Sequence, residues 1–156
     1  APSTPGDRME RIMSQQPEIT VTFPGGKRVD ANFFGTLIRT DQSKAGGGEG
    51  SAPEPFALFL SSIGTCAGIY VLGFLQARGL PTDGVQLNQR LDFDPATRRL
   101  RGVELDIQLP SSIPEKYHPA IVRAADMCAV KKALQDPPEF NVHTSRVDED
   151  ELERVA

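Results

Sequence analysis

The 156-residue sequence predicts an α+β fold, and three features predict it. Short runs of alternating apolar and polar residues stand on both sides of one long uncharged helical stretch. A second apolar helical stripe follows the last alternating pair. Turn signals rich in Pro, Gly and Asp join neighbouring runs, as antiparallel strands require, where a parallel sheet needs long crossovers.

Glu18 to Phe23 (EITVTF) is a β-rich run that stops at the turn signal Pro24-Gly25-Gly26-Lys27. Arg28 to Thr40 is a second β-rich segment, with Val29, Phe33, Phe34, Leu37 and Ile38 apolar and a bend expected near Gly35. Asp41 to Ser51 is Gly-rich and reads as a flexible loop. Its Gly46-Gly47-Gly48-Glu49-Gly50 run is not a phosphate loop, because no Gly-Lys-Ser/Thr follows. Ser51 and Glu54 have the spacing of a capping box for the helix that comes next.

Pro55 to Ala77 contains no charged residue. Phe56, Phe59, Leu60, Ile63, Cys66, Ala67, Tyr70 and Phe74 recur in it at helical spacing. Ser61, Ser62, Thr65, Gln76 and three glycines interrupt the apolar run, so it is expected as a core helix and not a membrane span. Arg78-Gly79-Leu80-Pro81 is a Schellman-type stop, with Gly79 supplying the left-handed residue.

Val85, Leu87, Leu91 and Phe93 then alternate with Gln86, Asn88, Arg90 and Asp92. After the Asp94-Pro95 turn, Val103, Leu105, Ile107 and Leu109 alternate with Glu104, Asp106 and Gln108. These are half-buried antiparallel strands. Ser112-Ile113-Pro114-Glu115 has capping-box form, and a second helix is expected from Pro119 to about Gln135, with Ile121, Ala125 and Cys128 on one face. Pro137-Pro138 ends it, and Phe140 to Val147 reads as a last strand. The expected order is β-β-α-β-β-α-β in a single domain over 18–148. A disordered arm (1–17) and an acidic tail (149–156) flank it. So apolar a central helix needs covering on nearly all sides, which one small sheet cannot do, so a homodimer sharing its core is expected.

The net charge of −4 and the absence of Trp argue against a nucleic-acid partner, which needs a basic face or a stacking platform. No membrane partner and no cofactor are expected. With no secretion signal read in the N-terminal stretch, a cytoplasmic location follows, where paired thiols are more often reactive than structural.

The chemistry rests on the two cysteines of the chain, Cys66 and Cys128. Both lie on apolar helical stripes. Burial alone makes a thiol inert by raising its pKa, while Lys131 and Lys132, one turn beyond Cys128, read equally as charges that lower it and as the usual cations of a helix C-terminus. His118 and His143 do not pair with the cysteines at any metal-ligand spacing, so no metal is expected. The residues alone leave a thiol peroxidase, a binding module and an inert structural thiol pair all open.

The chain resembles the osmotically inducible protein C / organic hydroperoxide resistance (OsmC/Ohr) superfamily, as a diverged OsmC-like member. The resemblance rests on Pro24-Gly25-Gly26-Lys27-Arg28, on the Gly-rich loop leading to Ala52-Pro53-Glu54-Pro55-Phe56 and on to Gly64-Thr65-Cys66, and on Ala124-Ala125-Asp126-Met127-Cys128-Ala129-Val130. It implies antiparallel sheets wrapped around two central helices in an intertwined homodimer. It also implies a thiol-dependent peroxidase of organic hydroperoxides, serving oxidative-stress defence and regenerated by a dithiol such as a lipoyl group. Carried over, Cys66 is the peroxidatic thiol, Cys128 the resolving thiol and Arg28 the arginine, with Lys27 or Arg39 as substitutes. Two positions depart from the family's peroxidases. Phe56 stands where they carry a glutamate that holds the arginine, leaving Glu54 as the nearest acid, and Ala129 stands where they favour proline. The departures keep a second function in view, a non-catalytic OsmC-like binding protein for a small apolar or thiol ligand.

Overall fold

The computed structural model describes residues 17–149. The arm expected over 1–17 and the tail over 149–156 lie outside the described residues, save Pro17 and Glu149 at their edges. The chain divides into two compact units at Thr65/Cys66.

The first unit carries a three-stranded antiparallel sheet of β1 (Ile19–Gly25), β2 (Arg28–Phe33) and β3 (Thr36–Ile38), in that order. β1 meets β2 with Ile19 opposite Phe33 and Val21 opposite Ala31, and the register shifts between Thr22 and Gly25. Gly26 closes the turn at φ 60°, a conformation that costs glycine nothing. The bend expected near Gly35 separates β2 from β3, with Phe34 and Gly35 both at positive φ. Asn32 stabilises it by accepting the Gly35 N–H at 3.0 Å. Every residue of β1 is exposed in the single chain, Phe23 by 80%.

The stretch expected as a flexible loop is a built turn. A 3₁₀ segment, Lys44–Gly46, is capped by Ser43. Asp41, only 1% exposed, accepts the Ser51 N–H, the Ser51 hydroxyl and the Gln42 N–H at 3.0, 2.7 and 2.8 Å. Gly48 is indispensable to this turn, since a Cβ there would sit 2.1 Å from the Gln42 carbonyl oxygen. The Ser51–Glu54 capping box does not form. Ser51 is taken by Asp41, and the Glu54 carboxylate accepts the Ser43 N–H at 2.9 Å instead.

Helix α1 (Pro55–Ala77) begins in the first unit and continues into the second. Of the described helices, it is the one long and apolar enough to cross a membrane. Its Ser61, Ser62 and Thr65 hydroxyls donate to carbonyls one turn back, which satisfies them inside an apolar helix. It stops as expected. Gly79 takes φ 62°, its N–H donates to Gln76, and the Leu80 N–H donates to Leu75 at 2.9 Å, the two bonds of a Schellman motif.

In the second unit, β4 (Gln86–Phe93) and β5 (Leu100–Gln108) form the expected hairpin, with Leu87 opposite Ile107 and Leu91 opposite Val103. Asp94 builds its turn by accepting the Ala96 and Thr97 N–H groups, both at 2.9 Å. The hairpin packs its near half, Val85, Leu87, Leu105, Ile107 and Leu109, on a core of Ala67, Val71, Leu75, Ile113, Ile121, Ala125 and Cys128. Its far half stays more open, with Leu91, Phe93 and Val103 all exposed.

Three further expectations are corrected. The single helix expected over 119–135 is two helices, α2 (His118–Asp126) and α3 (Ala129–Gln135). The backbone leaves the helical region at Cys128 (φ −48°, ψ 120°), whose side chain is held in the core and caps the next turn. The capping box at Ser112 is absent, and Pro114 precedes a 3₁₀ turn, Glu115–Tyr117, with no side-chain cap bond. The last strand, Phe140 to Val147, has no regular structure. It finds no strand partner among the described residues, and an unpaired strand cannot satisfy its backbone. Phe140 and Val142 are accordingly 88% and 92% exposed.

Candidate functional site

Cys66 and Cys128 belong to the second unit and come together there, both as free thiols. Helical spacing puts Cys66 on the α1 face that carries Ala67 and Val71 into the core, and it packs against that core half-buried. Cys128 is 1% exposed and forms the N-cap of α3. The break between α2 and α3 places free backbone donors beside the two sulfurs. A continuous helix would keep the N–H groups of residues 129–131 engaged with carbonyls one turn back. With the helix interrupted, they are left without intrahelical acceptors. The Lys131 N–H donates to Cys128 Sγ at 3.4 Å. The N–H groups of Ala129 and Val130 donate to Cys66, and so does the Cys128 thiol.

These bonds separate the two thiols. Burial opposes ionisation of Cys66, but the hydrogen bonds from Val130, Cys128 and Ala129 outweigh it, and its pKa falls below the ordinary thiol value. Burial pushes the Cys128 thiol up, and although the Lys131 N–H opposes this, the charge and the hydrogen bond of Cys66 add to the rise. Cys66 is therefore the more acidic of the two thiols, and Cys128 the one that keeps its proton longer. A thiol that ionises readily beside one that does not is the arrangement that thiol–peroxide chemistry needs.

The basic and acidic candidates all belong to the first unit. Arg28 pairs with Asp30, Nη2 to Oδ2 at 3.2 Å, and the Asp30 side chain is 6% exposed against 40% for Arg28. Asp30 also accepts the Thr40 N–H at 3.4 Å. Glu54 is held by Ser43, whose hydrogen bonds keep its carboxyl below the usual range. Arg39 and Lys27 are exposed. Phe56, in the position of the family glutamate, stacks on Phe59 with ring centroids 5.5 Å apart. Lys131, expected as an influence on Cys128, contributes its backbone N–H there, while its ammonium pairs with Asp126. Among the described residues, no cluster of three or more His, Cys, Asp or Glu could hold a metal ion.

Two features of these surroundings were not read from the sequence, the partner of Arg28 and the donors beside Cys66. Asp30 had a usable signal, since residues two apart on a strand share a face and Arg28 and Asp30 are of opposite charge. The N–H groups of Ala129 and Val130 had none, because a backbone donor is visible only once the helix break is known.

The fold recurs in solved structures. A protein from Psychrobacter arcticus 273-4, provisionally assigned to osmotic stress and detoxification responses, superposes with a TM-score of 0.62 at 21% identity, over 74% of this chain and 85% of that one. An OsmC-like protein from Mycoplasma pneumoniae matches with a TM-score of 0.62 at 18% identity, over 80% of this chain and 91% of its own. A hypothetical protein from Aquifex aeolicus VF5 gives 0.59 at 15% identity, over 78% and 88%. No curated protein matches the sequence. The profile of the OsmC-like proteins matches residues 48–143, more than half of the chain and the part that holds both cysteines, and the chain belongs to that family.

Proposed function

We propose that this protein is a thiol peroxidase of organic hydroperoxides acting through Cys66 and Cys128, in the oxidative-stress defence of the cytoplasm. One observation carries the reading: Cys66 meets two backbone N–H groups and the Cys128 thiol, which together make it the more acidic of the pair. The Cys66 thiolate attacks the terminal peroxide oxygen, an S–O bond forms, the O–O bond breaks, and the alkoxide leaves as an alcohol after taking a proton. Cys66 is then a sulfenic acid. Cys128 attacks that sulfur, the S–S bond forms, and water leaves. A dithiol reductant, such as a lipoyl group, restores both thiols by exchange.

The remaining roles are carried over from the family resemblance. Arg28 would stabilise the anion at the reacting sulfur, with Lys27 or Arg39 as substitutes and Glu54 as support. A second copy of the chain would cover the apolar surface that this copy leaves open, Phe56, Ile69 and Tyr70 on α1 and the whole of β1. The apolar surroundings of Cys66 favour a bulky hydroperoxide over hydrogen peroxide.

The second reading, a non-catalytic binding protein for a small apolar or thiol ligand, draws on Phe56. Phe56, stacked on Phe59, has no carboxylate to form an ion pair with an arginine. The test is a titration of reduced protein with one equivalent of cumene hydroperoxide, followed by thiol counting and intact mass. Loss of both thiols with a drop of about two daltons, abolished in Cys66→Ser, is the expected result. Native thiols that survive the titration would sink the peroxidase and leave the binding reading.

A further inference from the structure

The two sulfurs do structural work at the start of α3 that a disulfide cannot do. Helix α3 has seven residues, too few to be stable without tertiary support. Its first N–H groups are satisfied by sulfur. Lys131 N donates to Cys128 Sγ at 3.4 Å, and Ala129 and Val130 donate to Cys66. Sulfur is a weak acceptor when neutral and a much better one as a thiolate, because hydrogen bonds to an ionised partner are roughly twice as strong as neutral ones. Joining the sulfurs leaves neither able to ionise and draws the two atoms to about 2.05 Å, away from hydrogen-bond separation.

We propose that α3 is a redox-responsive element: sulfur from Cys66 and Cys128 holds its first turn in the reduced protein, and disulfide formation releases that turn. The inference rests on the peroxidase reading only for the identity of the physiological oxidant. In the step itself, two thiols lose two electrons and two protons to the oxidant. An organic hydroperoxide accepts them and becomes an alcohol and water. The release has a use. Cys128 is 1% exposed in the reduced protein, and Val130 of α3 packs against the core that encloses it. A dithiol reductant needs access to one sulfur of the disulfide, and a loosened first turn opens that wall. The break between α2 and α3 is the place where such a turn can move without disturbing Ile121 and Ala125 in the core.

The experiment is amide hydrogen exchange on the full chain, reduced and oxidised, with disulfide formation checked by intact mass. Diamide, a thiol-specific oxidant, is used beside cumene hydroperoxide. On oxidation by either reagent, the amides of Ala129, Val130 and Lys131 should exchange about tenfold faster or more, the loss expected for one charge-assisted hydrogen bond. Val71 and Leu75 in α1 serve as the reference and should not change. A disulfide that forms with no acceleration at 129–131 overturns the inference, and so does failure of both oxidants to join the thiols. A disulfide that forms with diamide and not with the hydroperoxide sinks the peroxidase and leaves the inference standing or falling on exchange alone. Two variants separate capping from general destabilisation. Reduced Cys128→Ser keeps an acceptor and should retain protection at Lys131, while Cys128→Ala should lose it.

Discussion

The turn around Asp41 in the first unit and the turn around Cys128 in the second solve one problem with different atoms. In each, a buried side chain collects backbone N–H groups that secondary structure leaves without acceptors. Asp41 takes Gln42 and Ser51, and the sulfur pair takes Ala129, Val130 and Lys131. Both groups of bonds favour the anion, and the pKa of Asp41 falls, chiefly through the Ser51 hydroxyl and N–H, as that of Cys66 does. The difference lies in what the acceptor can become. A carboxylate above its pKa is a permanent, unreactive anion, so the Asp41 turn is scaffolding. A thiolate is a nucleophile that can be alkylated, oxidised or bonded to its neighbour, so the same hydrogen-bond pattern becomes a site. Backbone donors make the charge, and the element that bears it decides whether chemistry follows.

The contrast can be broken first at Gly48. Alanine there meets the Gln42 carbonyl and the Asp41 carboxylate and must displace backbone, so Gly48→Ala should cost about 2 kcal/mol in urea unfolding. Gly46→Ala, whose Cβ meets ordinary contacts of 3.4 Å, should stay within about 0.5 kcal/mol. Equal costs would mean that the turn yields and is not rigid scaffolding.

Thiol reactivity sharpens the other half. Iodoacetamide should modify Cys66 before Cys128 in the native protein, since the Cys66 pKa is lowered and that of Cys128 raised. The Cys66 rate should hold at pH values where an ordinary thiol is already slow, and fall as pH drops through its lowered pKa. Mass spectrometry of the digested protein reads the order. Modification of Cys128 first would reverse the assignment of the anion.

The smallest effect is expected in acid. A carboxyl whose folded pKa is lowered stabilises the protein fully above its unfolded pKa, about 3.9 for aspartate, and loses that contribution as pH falls through the folded value. Exchange at the Ser51 amide should therefore stay slow, after correction for intrinsic rates, until the pH is below that of free aspartate, and then accelerate in wild type but not in Asp41→Asn. Acceleration at the same pH in both would show that Asp41 does not hold the turn.

Much of this was legible in the chain. The α+β class, the hairpin, the extent of α1 and its Schellman stop followed from periodicity and from Gly79-Leu80-Pro81, because these are local effects of side-chain spacing and backbone freedom. Cys66 and Cys128 stood out too, from residue type and from the family pattern around them. The helix break was not. Ile121, Ala125 and Cys128 keep helical spacing straight through it, and a periodic pattern cannot report that one residue has left the helical φ/ψ region. The Ser51–Glu54 box failed for a related reason, since Asp41 and Ser43, ten and eleven residues away from those partners, competed for the same side chains.

The sequence by itself determined which elements exist, which faces are apolar and which two atoms can act as soft nucleophiles, because those properties belong to residues and their near neighbours. Only the tertiary structure decided which thiol is the more acidic. That outcome depends on the backbone N–H groups of Ala129 and Val130, freed by the interruption at Cys128, and on the near-complete burial of Cys128. Hydrogen-bond direction and desolvation arise between segments far apart in the chain, so they have no value until the chain is folded.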